Sequence, residues 1–173
     1  MAAFLSSKRR FSQLSEQEVL ALAISAEEDD GRIYRGYAAR LRADYPASAK
    51  IFDEMAQEEA EHQQRLIALH KQRFGDTIPL IRREHVADFY SRRPVWLMDT
   101  LSLDEIRAQA ETMEQGAQRF YEAAARRTTD ADTRALLAAL AAAEAQHGQD
   151  AASLRDAHLT DEARDEEAVT AHR

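Results

Sequence analysis

No cysteine occurs among the 173 residues. Disulfides, thiolate metal sites and cysteine nucleophiles are thereby excluded, and cysteine usage says nothing of the redox compartment. Glycine (five) and proline (three) are scarce while alanine is abundant, a balance that favours long unbroken helices. Long apolar runs are missing too. The longest, Ala135 to Ala143, falls far short of the roughly 20 residues a membrane-spanning helix needs. The N-terminal stretch "MAAFLSSKRRFSQLS" places its basic residues after a short apolar piece and contains no signal-peptide core, so a cytosolic domain is expected. Basic charge is in deficit: the formal net charge is -8, which argues against nucleic acid, whose phosphates need a positive surface. An acidic chain suits a protein that handles cations. At 31% charged and 45% hydrophobic residues, the composition is that of a globular domain rather than a disordered segment.

Helix signals divide the chain into four long helices. The first starts at a capping box, Ser15 with Glu18, and is expected to run to about Ala43. The second begins near Pro46, suited to a first helical turn, and stops at Gly75. The segment "DTIPLIRREHVADFYSRRPVWLMDT" is too long for a tight turn, and "REHVADFY" within it is read as a short helix. The third helix starts at another capping box, Ser102 with Glu105. A break at "RTTDAD" introduces the fourth, expected from near Asp130 to about Ala157. The expected organisation is an N-terminal extension (1–14), one helical domain (15–157, with a crossover at about 76–100) and an acidic tail or linker (158–173).

The two halves resemble each other. "LSEQEVLALAISAEEDDGRIY" and "LSLDEIRAQAETMEQGAQRFY" align without a gap, placing Glu27 on Glu114 and Tyr34 on Tyr121; further along, Glu59 corresponds to Glu144 and His62 to His147. A duplicated helical hairpin joined by a long crossover makes an all-α, ferritin-like four-helix bundle.

The residues at core spacing are not all apolar. Steps of three and four trace Leu20, Ala23, Glu27, Gly31, Tyr34, Ala38 and Leu41 on the first helix, and Phe52, Met55, Glu59, His62, Leu66 and Leu69 on the second. The third gives Ile106, Ala110, Glu114, Ala117, Tyr121 and Ala124; the fourth gives Leu137, Leu140, Glu144, His147, Ala151 and Leu154. Each helix carries a carboxylate in mid-stripe. A buried, unpaired carboxylate costs several kcal/mol, and a domain stable by about 5–15 kcal/mol does not carry four of them unaided. Divalent metal neutralises them and also accounts for the imidazoles, because carboxylate with histidine suits iron, manganese or zinc. One Glu from each of two helices with Glu-x-x-His from each of the other two is a di-metal carboxylate pattern. His70, His85, His158 and His172 lack such partners and read as surface residues. Glu28, Asp29, Asp30, Glu58 and Glu61 lie beside the stripes and read as solvated.

At these residues the chain resembles a known family. "ISAEEDDGRIYRGYAARL" followed by "IFDEMAQEEAEHQQRL" is similar to the rubrerythrin branch of the ferritin-like superfamily, and "ETME" adds the two helix-3 acids, Glu111 and Glu114, typical of rubrerythrins. The connector "IPLIRREHVADFYSRRPVWL" and "RFYEAAARRTTD" resemble the membrane-bound ferritins, or erythrin–vacuolar iron transporter proteins. There a rubrerythrin-like domain on the cytoplasmic face precedes an iron-exporting transporter domain in the inner membrane, which would be expected after this C-terminus.

The resemblance implies metal ligands Glu27, Glu59, His62, Glu111, Glu114, Glu144 and His147, with Glu59 and Glu144 bridging two irons that cycle between Fe2+ and Fe3+. Manganese or zinc are the expected substitutes. Tyr34 and Tyr121 are expected to hydrogen-bond the ligand carboxylates. Glu59, Glu144, Glu111 and Glu114 are the candidates for the reaction itself, oxidation of ferrous iron by dioxygen or hydrogen peroxide. One of Glu111 and Glu114 is expected to exchange with His62 as the iron changes charge, and the sequence leaves open which. A homodimer is expected. Classical rubrerythrins carry a cysteine-ligated electron donor, and this chain, without cysteine, departs from them. The alternative expectation is a non-catalytic iron sensor or donor domain serving a transporter.

Overall fold

The computed structural model describes residues 8–89 and 101–149. Four α-helices occur among them: α1 (Glu16–Leu41), α2 (Pro46–Phe74), α3 (Leu103–Arg127) and α4, helical over residues 131–149. The described residues contain no strand, only an isolated bridge between Arg9 and Val86. Two hairpins, α1–α2 and α3–α4, joined by a long connection give the all-α, ferritin-like four-helix bundle. Among the described residues no helix is long and apolar enough to cross a membrane.

The helix ends follow their local chemistry. Ser15 accepts from the Glu18 amide while Glu18 accepts from the Ser15 amide at 2.8 Å, and Ser102 with Glu105 repeats the arrangement. These capping boxes satisfy amides that have no intrahelical partner. Pro46 occupies the first turn of α2, and Gly75 ends that helix with a positive φ of 85°, a conformation glycine adopts without steric cost. Asp130 Oδ1 accepts from the Thr133 amide at 2.8 Å and starts α4.

Two apolar clusters fill the bundle. One gathers Tyr34, Tyr37, Leu41, Phe52, Met55, Ile106 and Met113. The other gathers Leu20, Leu22, Leu66, Leu69, Phe120, Leu137 and Leu140. Along α1, α2 and α3 the polar stripe residues fall between these two sets, and on α4 they follow Leu137 and Leu140 of the second, so a polar layer lies between two packed clusters. That layer is the candidate site.

The crossover differs from its sequence reading. Instead of a short α-helix over "REHVADFY", a single 3-10 turn spans Arg83–His85. The backbone is drawn off by the N-terminal segment: the Arg9 amide donates to His85 O at 3.1 Å and the Ala87 amide to Arg9 O at 2.8 Å. Residues 8–14, set apart by sequence as an extension, pack on the bundle. Leu14 is buried, Phe11 meets Phe120 edge-on at 5.6 Å, and Arg127 donates to Leu14 O at 2.9 Å. The expected end of α4 near Ala157, the tail 158–173 and Tyr90 lie outside the described residues.

Candidate metal centre

Every stripe residue expected on α1, α2 and α3 is buried, and so are Leu137, Leu140, Glu144 and His147 on α4. Ala151 and Leu154 lie outside the described residues. The periodicity of each helix aims its carboxylate at the bundle axis, and Gly31 lets α1 approach α2 closely at this level. A Cβ on Gly31 would stand 3.4 Å from Glu59 Cβ.

Two four-residue groups result: Glu27, Glu59, His62 and Glu144, and Glu59, Glu114, Glu144 and His147. Within each group the candidate ligand atoms lie within 4.8 Å of one another. Glu59 and Glu144 belong to both. Their oxygens are divided between the imidazoles. Glu59 Oε2 is 3.4 Å from His62 Nδ1 and its Oε1 is 3.5 Å from His147 Nδ1; Glu144 Oε1 is 3.4 Å from His62 Nδ1 and its Oε2 is 4.0 Å from His147 Nδ1. Glu27 Oε2 approaches His62 Nδ1 at 3.8 Å, and Glu114 Oε2 approaches His147 Nδ1 at 3.5 Å. The two imidazoles stack, centroids 5.6 Å apart. Tyr121 donates from α3 to Glu27 Oε1 on α1, and Tyr34 donates from α1 to Glu114 Oε1 on α3. Each tyrosine holds one oxygen of its partner carboxylate and leaves the other facing the cluster.

A family model described as Rubrerythrin matches residues 18–155. The chain belongs to the rubrerythrin family. No curated protein and no solved structure matches it.

Rubrerythrin-family domains hold two irons, and the residues present fit such a pair. Glu59 Oε2, His62 Nδ1, Glu114 Oε2, Glu144 Oε1 and His147 Nδ1 are buried without a hydrogen-bond partner. Orphaned buried polar atoms are rare and costly, and these five converge on one layer with the chemistry of a hard-to-borderline divalent ion's ligands.

The electrostatics of the metal-free cluster agree. Burial, then the neighbouring Glu59 carboxylate, raises the Glu27 carboxyl well above its usual range. Burial likewise raises Glu144 well above the usual range, despite the His62 imidazolium, and raises Glu114 against the pull of His147. Burial alone would depress His62, but Glu144, Glu27 and Glu59 outweigh it and push the imidazole up to about 11. His147, raised by Glu114 and Glu59 against the same burial, reaches about 12. Without metal the rubrerythrin cluster holds protons where cations would otherwise sit.

Not every predicted residue arrives. Glu111 is exposed and accepts from Gln115 Nε2 at 3.3 Å, outside both groups. Glu114 is the helix-3 carboxylate that reaches the centre. Three residues read as surface or solvated are otherwise engaged. His70 is fully buried, with its Nε2 3.4 Å from Gln17 Nε2. Asp30 is buried and accepts from Arg83 Nη2 at 3.1 Å, which ties the crossover to α1 one turn beyond Glu27. Glu58, although exposed, has its Oε2 2.7 Å from His147 Nε2.

Proposed function

We propose that this rubrerythrin-family protein is a di-iron oxidoreductase that oxidises ferrous iron with dioxygen or hydrogen peroxide. The observation that carries this reading is the sharing of Glu59 and Glu144, each with one oxygen toward each imidazole. Two carboxylates so divided serve adjacent metal positions rather than one. Glu27 and His62 would complete one position, Glu114 and His147 the other. A ferrous pair held there supplies two electrons, enough with two protons to convert one hydrogen peroxide into two waters.

The protein's own groups prepare the site. Tyr121 and Tyr34 fix one oxygen of Glu27 and Glu114 and so restrict the carboxylates to a single ligand atom each. The apolar clusters at both ends exclude bulk water, which strengthens every charge interaction inside. His62 and His147, which hold protons in the cluster, would release them on binding a metal, so loading would be coupled to proton release. The ligand set also accepts manganese or zinc, but zinc has no redox chemistry and could supply no electrons. No thiolate-held centre exists within these 173 residues, and re-reduction draws on another donor.

The similarity of the connector and of "RFYEAAARRTTD" to membrane-bound ferritins supports a more specific reading. In it, the domain is the cytoplasmic iron-handling part of a protein anchored in the inner membrane, paired as a homodimer and passing iron to a transporter domain. Light scattering tests the pairing; a monomer contradicts it.

Oxidation is tested by mixing anaerobically iron-loaded protein with hydrogen peroxide or dioxygen and following ferric absorbance. The expected result is two ferrous ions oxidised per peroxide, faster than for free ferrous ion. Oxidation no faster than in buffer would leave the non-catalytic sensor or donor role.

A further inference from the structure

The internal repeat predicts a centre with two equivalent halves, and the ligands obey it: Glu27 corresponds to Glu114, Glu59 to Glu144 and His62 to His147. The groups behind the imidazoles do not. His147 turns Nδ1 inward, toward Glu59 and Glu114, and its Nε2 lies 2.7 Å from Glu58 Oε2 across on α2. The offset that carries His62 to His147 carries Glu58 to Ala143. Where His147 has a carboxylate across the bundle, the repeat's equivalent of that carboxylate is Ala143, whose methyl group can accept no hydrogen bond.

We propose that Glu58 is a positioning residue that makes the two metal positions unequal. An imidazole whose outer nitrogen gives its proton to a carboxylate is fixed in the tautomer that leaves the inner nitrogen free, and is a more basic ligand. His147 is therefore held in the orientation that binds: Nε2–H is directed at Glu58 and stays there when a metal takes the place of the proton on Nδ1. His62 lacks the corresponding acid on α4. The position completed by Glu114 and His147 fills first and binds more tightly; the position completed by Glu27 and His62 fills second and releases its ion more readily. In a protein that hands iron on, the second position is the one from which iron would leave. This inference rests on the di-metal reading of the cluster and adds an order of filling to it.

The test is a cobalt(II) titration of the whole protein, followed by visible absorbance and by calorimetry, on wild type, Glu58→Ala, Glu58→Gln and Ala143→Glu. Position 58 faces solvent, so its variants keep the bundle intact, which circular dichroism checks. Wild type is expected to bind in two resolved steps. Glu58→Ala should weaken the tighter step by about 10-fold or more, the usual scale for an outer partner of a metal-binding histidine. The weaker step should stay where it was. Glu58→Gln, whose amide oxygen still accepts, should lie between, and Ala143→Glu should tighten the weaker step.

A second readout is independent of affinity. In the zinc-loaded protein with 15N-labelled histidine, His147 should show a slowly exchanging Nε2 proton that Glu58→Ala abolishes. Equal weakening of both steps by Glu58→Ala, no weakening of either, or an unchanged Nε2 proton would overturn the role of Glu58. Failure of the wild type to bind cobalt would instead sink the di-metal reading, and this inference with it.

Discussion

Tyr121 on α3 donates its hydroxyl proton to Glu27 on α1, inside the bundle and across from its own hairpin. Tyr34 makes the reciprocal bond to Glu114. The two tyrosines thus join the hairpins at the level of the cluster. Replacement of either by phenylalanine keeps the packing and removes only the donor. Tyr121→Phe and Tyr34→Phe are each expected to retain two metal positions but to weaken binding about 10-fold. Calorimetric titration checks this, and unchanged affinity in both variants would contradict it.

Glu111 and Glu114 stand one turn apart on α3, but only Glu114 is buried in the centre. Glu114→Ala should lose the ion on the His147 side, while Glu111→Ala should still bind two. A role for Glu111 as an exchanging ligand requires its side chain to turn inward when the iron is oxidised. If it does, Glu111→Ala slows oxidation without changing ferrous stoichiometry. Stopped-flow oxidation beside elemental analysis separates the two variants; loss of an ion in Glu111→Ala would contradict this placement.

The sequence carried much of the bundle and most of the centre, for a definite reason. In alanine-rich helices with strict three-and-four spacing, a carboxylate such as Glu59 between Met55 and Leu66 has nowhere to point but the core. The duplication then made each stripe a check on the other. The missed partners lie on other elements. Asp30 is buried because Arg83 arrives from the crossover, 53 residues away. Glu58 points about 100° around the helix from Glu59 and looks solvated, yet its length lets it reach His147 on α4. His70 is buried, with Gln17 of α1 and Phe74 beside its ring. Glu111 was carried by family resemblance, whereas the α3 stripe itself runs through Ala110, Glu114 and Ala117 and passes it by.

Metal binding should stabilise the fold, since the ion-free centre leaves buried acceptors without partners. At a ligand concentration 100-fold above Kd, binding to the native state alone adds about 2.7 kcal/mol. For a chain of this size that is a rise in Tm of about 5–10 °C. Differential scanning calorimetry with and without manganese(II) measures it. An unchanged Tm at saturating metal would contradict native-state binding.

The N-terminal segment should loosen in acid. The Arg9 guanidinium, with help from the Ser15 amide, holds the Glu18 carboxyl down at about 2, against an ordinary value of 4.5. Because the folded value is depressed, the stabilisation is complete above about pH 4.5 and is lost as the pH falls toward 2. The pair is partly exposed and screened, so the effect is local rather than a collapse of the bundle. Protection of residues 8–14, taken as exchange relative to an unstructured chain at the same pH, should fall through that window in wild type. Glu18→Gln should show low protection throughout; a wild-type profile in that variant would contradict the assignment.

The central claim is that Glu59 and Glu144 are shared by two metal positions. Anaerobic ferrous titration with elemental analysis, on wild type, Glu27→Ala, Glu59→Ala and Glu144→Ala, tests it most directly. Wild type should bind two ions per chain, Glu27→Ala should weaken one, and Glu59→Ala or Glu144→Ala should each weaken both. Two tightly bound ions in both Glu59→Ala and Glu144→Ala, or a single ion in wild type, would contradict the account.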